Sequence, residues 1–230
     1  LKAQAREDSW RHLLPDHDAV YDRVIDIDLS TIEPLAACPH SPDNIRKMSE
    51  LKGTPVQQVA IGSCTNSSFK DLMTVASILK GKKVASGTSF IVAPGSRQVF
   101  EMIARNGALA DIIASGARIM ESSCGFCIGA GQAPPTNGVS LRTNNRNFEG
   151  RSGTASGQVY LVSPETAALS ALAGEMVNPL DYPAQEFPFV AMPDRFHIDD
   201  SMVLPPAKTP VKIIRGPNIG EPPYTSPLLD

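Results

Sequence analysis

The sequence lacks any run of apolar residues near the roughly 20 needed to cross a bilayer, which excludes a spanning helix and speaks against membrane insertion. Its first residues, Leu1 to Arg11, are too charged for a secretory leader. No block of lysines or arginines stands out; acidic and basic residues are interleaved and the formal net charge is -3. DNA is therefore not an expected partner, and RNA is disfavoured on the same ground. Four cysteines in 230 residues are too few for a disulfide scaffold, and the chain reads as cytoplasmic. Because it begins with leucine rather than methionine, an upstream segment, a targeting peptide included, remains compatible with it. Internal repeats and low-complexity tracts are absent as well.

What is present is the composition of a globular protein, 42% hydrophobic and 20% charged, long enough to bury a substantial core. Residues 1–52 read as an N-terminal extension of poor periodicity, with one alternating run, Val24-Ile25-Asp26-Ile27-Asp28-Leu29, that predicts a short strand. Residues 53–175 change character. Short β-branched runs alternate with helical periods, the pattern of an α/β, three-layer αβα domain on a mainly parallel sheet. Strands are predicted at 56–61, 89–93, 117–120, 139–141 and 159–162. Helices are predicted from Ser68 to Leu79, where Ser68 and Asp71 form a capping-box signature, from Ser96 to Arg105, from Leu109 to Ala114, and from Ser163-Pro164-Glu165 onward. Residues 176–230 form a proline-rich C-terminal extension, of the kind that packs on a neighbour or links to another domain.

Ligands of open α/β sheets gather beyond the carboxyl ends of the strands. Cys64 follows one predicted strand, and Cys124 and Cys127 follow another, roughly sixty residues later, in Cys-Gly-Phe-Cys. Three thiolates can thus converge from two loops, with Gly62, Gly125 and Gly129 permitting close backbone approach. Spacing alone leaves a redox dithiol, a zinc site and an iron–sulfur cluster open. A dithiol would leave Cys64 without a role, and structural zinc would need a fourth ligand, for which Cys38 is poorly placed; Cys38 reads as a buried or incidental thiol. A cubane held by only three thiolates would keep one iron open as a Lewis acid able to polarise a hydroxyl, so the count of three favours chemistry over electron transfer.

The segment Leu141 to Gly153 is too polar and glycine-rich for a core strand, and its Arg146 and Arg151 flank an aromatic residue. Guanidinium forks bind carboxylates bidentately, so such a loop beside a metal would suit a di- or tricarboxylic acid, while solvated or ion-paired arginines are the plainer alternative. Asn145 could donate to a cluster or substrate, or simply hold the loop. His12, His17, His40 and His197 show no metal-binding spacing and read as surface or structural residues.

Taken together, Ile61-Gly62-Ser63-Cys64-Thr65-Asn66-Ser67, Cys124-Gly125-Phe126-Cys127-Ile128-Gly129, Asn145-Arg146-Asn147-Phe148-Glu149-Gly150-Arg151 and Leu161-Val162-Ser163-Pro164 resemble the aconitase superfamily of iron–sulfur hydro-lyases. Ser41-Pro42-Asp43-Asn44 and Gly216-Pro217-Asn218 extend the likeness, and the wording around Arg142 to Arg146 looks most like bacterial aconitate hydratases. The resemblance implies a 4Fe-4S cluster on Cys64, Cys124 and Cys127, with Asn145 beside it and Arg146 and Arg151 on substrate carboxylates. Phe126 stands where many members carry proline. It further implies a lyase of the tricarboxylic acid cycle interconverting citrate and isocitrate through cis-aconitate, or a related isopropylmalate, homoaconitate or methylcitrate dehydratase. A metal-stabilised regulatory or RNA-binding module is the non-enzymatic alternative. Family enzymes have three α/β domains and a mobile fourth that supplies the serine base. The chain has room for the third domain alone, so it is expected to contain no catalytic base, to be inactive by itself and to partner the remaining domains of the same enzyme.

Overall fold

A computed structural model describes residues 1–212, 214–217 and 220. It divides into two compact units, 1–198 and 199–230. The first is built on a sheet of seven strands, ordered β2-β1-β7-β6-β3-β4-β5: β1 (Leu35–Ala37), β2 (Ile45–Lys47), β3 (Gln58–Gly62), β4 (Ser89–Ala93), β5 (Arg118–Ile119), β6 (Val139–Arg142) and β7 (Gln158–Leu161). β3 to β7 run parallel; β1 and β2 add an antiparallel edge through Ala37 opposite Leu161. The expected α/β fold with a mainly parallel sheet is present. Five helices accompany the sheet: α1 (Met48–Leu51), α2 (Phe69–Leu79), α3 (Arg97–Arg105), α4 (Ala108–Ala114) and α5 (Pro164–Ala173).

Local chemistry starts the helices where the sequence predicts. Ser68 and Asp71 form the reciprocal capping box of α2, Ser96 accepts from the Val99 amide, and Ser163 accepts from the Thr166 amide ahead of Pro164. Gly174 ends α5 in the left-handed conformation. Among the described residues no helix is long and apolar enough to cross a membrane.

Connection handedness explains why the two faces of the sheet differ. From β3 the chain steps outward to β4 and β5, with α2, α3 and α4 between them on one face. To reach β6, on the other flank of β3, it must step back in the reverse direction. A right-handed crossover taken in reverse passes over the opposite face, and the step from β6 to β7 continues the same way. Segments 120–138 and 143–157 therefore share the face without helices. There the first contributes only a 3-10 turn, Phe126–Ile128.

Each strand alternates accordingly. Val59, Ile61, Phe90, Val92 and Leu141 join the buried side chains of all five helices in one large core. On the other face, Ala60, Ile91 and Ala93 receive Phe126 in a small apolar cluster of four buried residues. Phe126, standing where proline is common, is itself a packing residue with 1% of its surface exposed.

The run Val24 to Leu29 is not a strand. It joins no strand among the described residues and ends in a 3-10 turn at Leu29–Thr31, with Val24, Ile25, Ile27 and Leu29 all exposed, because alternation makes a strand only when a sheet edge is there to accept it. Two strands within residues 1–52 escaped the pattern: β1 and β2 are three residues each, too short to show a period. Cys38, just after β1, is buried, and burial pushes its thiol pKa up. Of the closing segment Arg215 to Pro223, Asn218, Ile219 and 221–223 lie outside the described residues.

Candidate active site

The parallel strands place their carboxyl ends along one edge, and the chain reverses its stepping direction at β3. Loops on either side of such a switch point separate to form a crevice. Cys64 lies in the loop leaving β3. Cys124 and Cys127 follow β5, and residues 143–152 follow β6.

The Cys64 loop leaves β3 through unusual backbone. Gly62 has φ +140° and Ser63, not a glycine, has φ +79°. A Cβ on Gly62 would lie 2.2 Å from the Ala93 carbonyl oxygen, so only glycine lets β3 and β4 end side by side. Cys64 emerges exposed, its sulfur 3.8 Å from the Thr65 hydroxyl. Thr143, fully buried at the end of β6, anchors this loop. Its Oγ1 accepts from the Gly62 amide at 2.8 Å, and its carbonyl accepts from Asn66 Nδ2 at 2.6 Å.

The second cysteine loop is tied down by its neighbour, Arg142. This side chain is fully buried, and burial lowers its guanidinium pKa to about 10, with the charge of Cys127 opposing that shift. Nη1 donates to the Phe126 carbonyl at 2.6 Å, Nη2 to the Gln132 carbonyl at 3.1 Å and to Gln58 Oε1 at 2.9 Å, and Nε to Ser140 Oγ at 3.1 Å. The same guanidinium lies 5.8 Å from the centre of the Phe126 ring. No carboxylate pairs with it among the described residues. Gln58 sits opposite Ser140 in the β3–β6 register and closes the network by accepting from the Ser140 hydroxyl at 2.7 Å and donating to the Ala133 carbonyl at 3.0 Å.

Of the two arginines singled out in the sequence, Arg151 meets a cysteine: its Nη2 lies 3.4 Å from the buried Cys127 sulfur, and its guanidinium stacks 5.8 Å from the Phe148 ring centre. Arg146 is exposed and donates to Asn145 Oδ1 at 3.3 Å. Neither guanidinium pairs with a carboxylate among the described residues, against the ion-paired alternative. The two loops touch closely: a Cβ on Gly129 would lie 2.3 Å from the Ser152 carbonyl oxygen, and Thr154 donates to the Pro134 carbonyl at 2.6 Å.

Not everything expected to converge does so. Cys127 is buried, Cys64 and Cys124 are exposed, and all are free thiols. Among the described residues no three side chains of His, Cys, Asp or Glu meet in a group ready to hold a metal ion. The donor set nevertheless suits a thiolate-bound cluster. Further, every buried side-chain polar atom without a partner among the described residues falls in one loop: Asn144 Nδ2 and Oδ1, Asn147 Oδ1, Arg151 Nε and Ser152 Oγ. An unmet buried donor or acceptor costs roughly 1–3 kcal/mol, and concentrating five of them in the one loop whose Arg151 reaches Cys127 suits a loop built to meet a ligand. Asn144 and the Arg142–Thr143 pair went unassigned in the sequence. No local signal marks Arg142, since an arginine closing a strand reads as a surface residue.

Fold and site together define an α/β domain whose strand-end loops bring a thiol beside a guanidinium that has no carboxylate partner among the described residues. The family model described as "Aconitase family (aconitate hydratase)" matches residues 44–174, more than half of the chain, and the chain belongs to the aconitase family. It is 39% identical over 183 residues to the 3-isopropylmalate dehydratase large subunit 2 of Archaeoglobus fulgidus, covering 79% of this chain and 44% of that protein. The 3-isopropylmalate dehydratase large subunit of Clostridium botulinum is 42% identical over 174 residues, with coverage of 75% and 42%. The homoaconitase large subunit of Thermus thermophilus is 41% identical over 175 residues, with coverage of 76% and 42%. The chain thus spans about two-fifths of the length of these relatives.

Proposed function

We propose that the chain forms the cluster-bearing wall of a dehydratase active site, with Cys64, Cys124 and Cys127 as the ligands of a 4Fe-4S cluster. When bound, a cluster with three thiolate ligands supplies an open iron that polarises a substrate hydroxyl so that it leaves as water. The chain's own residues bind and orient. Arg151, aimed at the Cys127 sulfur with its Nε unmet, and Arg146, exposed on the same loop, are placed to take substrate carboxylates, while Asn145 steadies Arg146. The concentration of unmet polar atoms in the loop whose Arg151 reaches the Cys127 sulfur carries the reading. No base is assigned here; it would come from elsewhere in the enzyme.

The substrate reading follows the relatives. Their names, 3-isopropylmalate dehydratase and homoaconitase, support a hydroxylated di- or tricarboxylic acid of that kind over the citrate–isocitrate pair expected from the wording around Arg142 to Arg146. That these relatives are large subunits supports a further subunit or further domains as partners. Residues 53–175 remain our proposed cluster-binding domain, with 1–52 and 176–230 as its extensions; β1, β2 and α1, from within 1–52, complete its sheet and core.

Anaerobic reconstitution with iron and sulfide, followed by absorbance and EPR spectroscopy, is expected to yield a cluster that Cys64→Ser, Cys124→Ser and Cys127→Ser each abolish. Binding of zinc alone, with no effect of Cys64→Ser, would overturn the proposal. In the enzyme completed with its remaining domains and a small-subunit partner, dehydration of 3-isopropylmalate should exceed that of citrate; the reverse preference would restore the citrate–isocitrate reading.

A further inference from the structure

Two adjacent residues at the end of β6 fasten the two cysteine loops separately. Strand alternation points Arg142 to the face without helices, where it reaches the Phe126 and Gln132 carbonyls on either side of the Cys127 turn. Thr143 turns the other way, where its hydroxyl meets the Gly62 amide and its carbonyl meets Asn66, on either side of Cys64. The peptide bond between them therefore links the anchor points of the two thiol-bearing loops.

We propose that Arg142 and Thr143 are positioning residues that set the spacing between Cys64 and the Cys124–Cys127 turn for the cluster, with Arg142 also lending it a fixed positive charge. This rests on the cluster reading above. The turn needs such a device because proline does not stiffen it: Phe126 sits between the cysteines, and its ring and carbonyl are both engaged by the same guanidinium. Only arginine has the donors to grip two backbone carbonyls and to reach Ser140 and Gln58 at once. Its charge, fully buried and without a carboxylate among the described residues, is held against the Cys127 turn through the Phe126 carbonyl. A positive charge held near a cluster favours its reduced form, so removing it lowers the potential.

The test compares Arg142→Gln, Arg142→Lys, Thr143→Val and Thr143→Ser in the full chain. In metal-free protein, amide hydrogen exchange is read over 120–135 and 62–68. Arg142→Gln should speed exchange of the Ile128, Gly129 and Ala130 amides about tenfold, the scale of one lost charge-assisted hydrogen bond, while leaving 62–68 and α2 unchanged. Thr143→Val should do the converse, and Thr143→Ser should behave as the parent. In reconstituted protein, both Arg142→Gln and Thr143→Val should lose iron to a chelator about tenfold faster. Only Arg142→Gln should lower the cluster's midpoint potential, with Arg142→Lys close to the parent in potential yet faster in iron loss.

Unchanged exchange and iron retention in Arg142→Gln and Thr143→Val would overturn the proposal. So would an equal potential shift in Arg142→Gln and Arg142→Lys. Failure of the parent chain to form any cluster would sink the reading beneath it, while the metal-free exchange arms would still decide whether β6 holds the loops. Should Arg142→Gln not fold, the Thr143 pair and Arg142→Lys carry the same decision.

Discussion

The two faces of the sheet are held by different physics. One is covered by helices whose buried side chains merge into a single apolar core, from Met48 through Leu72 and Ile103 to Leu169. The other has a four-residue apolar cluster, a fully buried arginine and a loop with unmet polar atoms. The helical face is stabilised by area removed from water, which tolerates small shifts. The loop face relies on directional hydrogen bonds between carbonyls and one guanidinium, which does not. Stability and site geometry are thus separated across a sheet one strand thick.

Truncations test that division most directly. Leu72→Ala, at a site with no exposed surface on α2, should cost about 3–5 kcal/mol in urea unfolding and lower the transition as a whole, because helices on all sides prevent collapse around the cavity. Phe126→Ala should cost less, about 2–3 kcal/mol and below the range usual for a buried phenylalanine, since its loop can settle onto Ala60 and Ala93. A larger loss at Phe126 than at Leu72 would break the comparison.

Two glycines sharpen it further. Gly107, which opens α4, and Gly129, in the cysteine loop, have nearly the same backbone angle, φ +86° and +87°. A Cβ at Gly107 would meet open space, whereas one at Gly129 would strike the backbone of Ser152 and Gly153. Gly107→Ala should therefore cost only about 1 kcal/mol for the left-handed conformation, and Gly129→Ala about 1–2 kcal/mol more, by urea midpoint. Equal costs would mean that the two loops do not depend on their contact.

The smallest expected effect is electrostatic and lies on the helical side. The Arg105 guanidinium, hydrogen-bonded to Glu101 at 2.6 Å, holds that carboxyl below its ordinary pKa of 4.5, with His197 adding to the shift. A carboxylate with a depressed folded pKa contributes stability that is fully present above pH 4.5 and is lost as the pH falls through the lower value. Glu101→Gln should accordingly lower the neutral-pH melting temperature slightly, leave melting below the depressed pKa almost unchanged, and so flatten the slope of melting temperature against pH in the acid range. An unchanged acid slope would remove this pair from the account.

The helical face was largely legible in the sequence. Capping residues at Ser68, Ser96 and Ser163 and the apolar period of α2 are local signals, set by backbone groups within four residues, and the observed helices begin where those signals stand. The same local logic misjudged Val24 to Leu29, where alternation found no sheet edge, and passed over the three-residue strands β1 and β2, of which β1 joins the sheet through Leu161, more than a hundred positions away. At the site, the three cysteines and the Arg146 and Arg151 loop could be named from their order and wording. Arg142 could not, because a strand-ending arginine looks like a surface residue until the partner strand is known.

By itself, then, the sequence determined the class of fold, the family likeness and the chemical kind of the site, since residue type, spacing and period are one-dimensional properties. Tertiary structure alone decided which loops share a face, through the reversed crossover from β5 to β6, and which side chains hold them. It made Arg142 the fully buried anchor of one cysteine loop and Thr143 that of the other. It left Cys64 and Cys124 exposed while enclosing Cys127 under Arg151. The physical reason is that a hydrogen bond or a close backbone contact depends on distance in space, and the handed winding of the chain sets those distances for residues far apart in sequence.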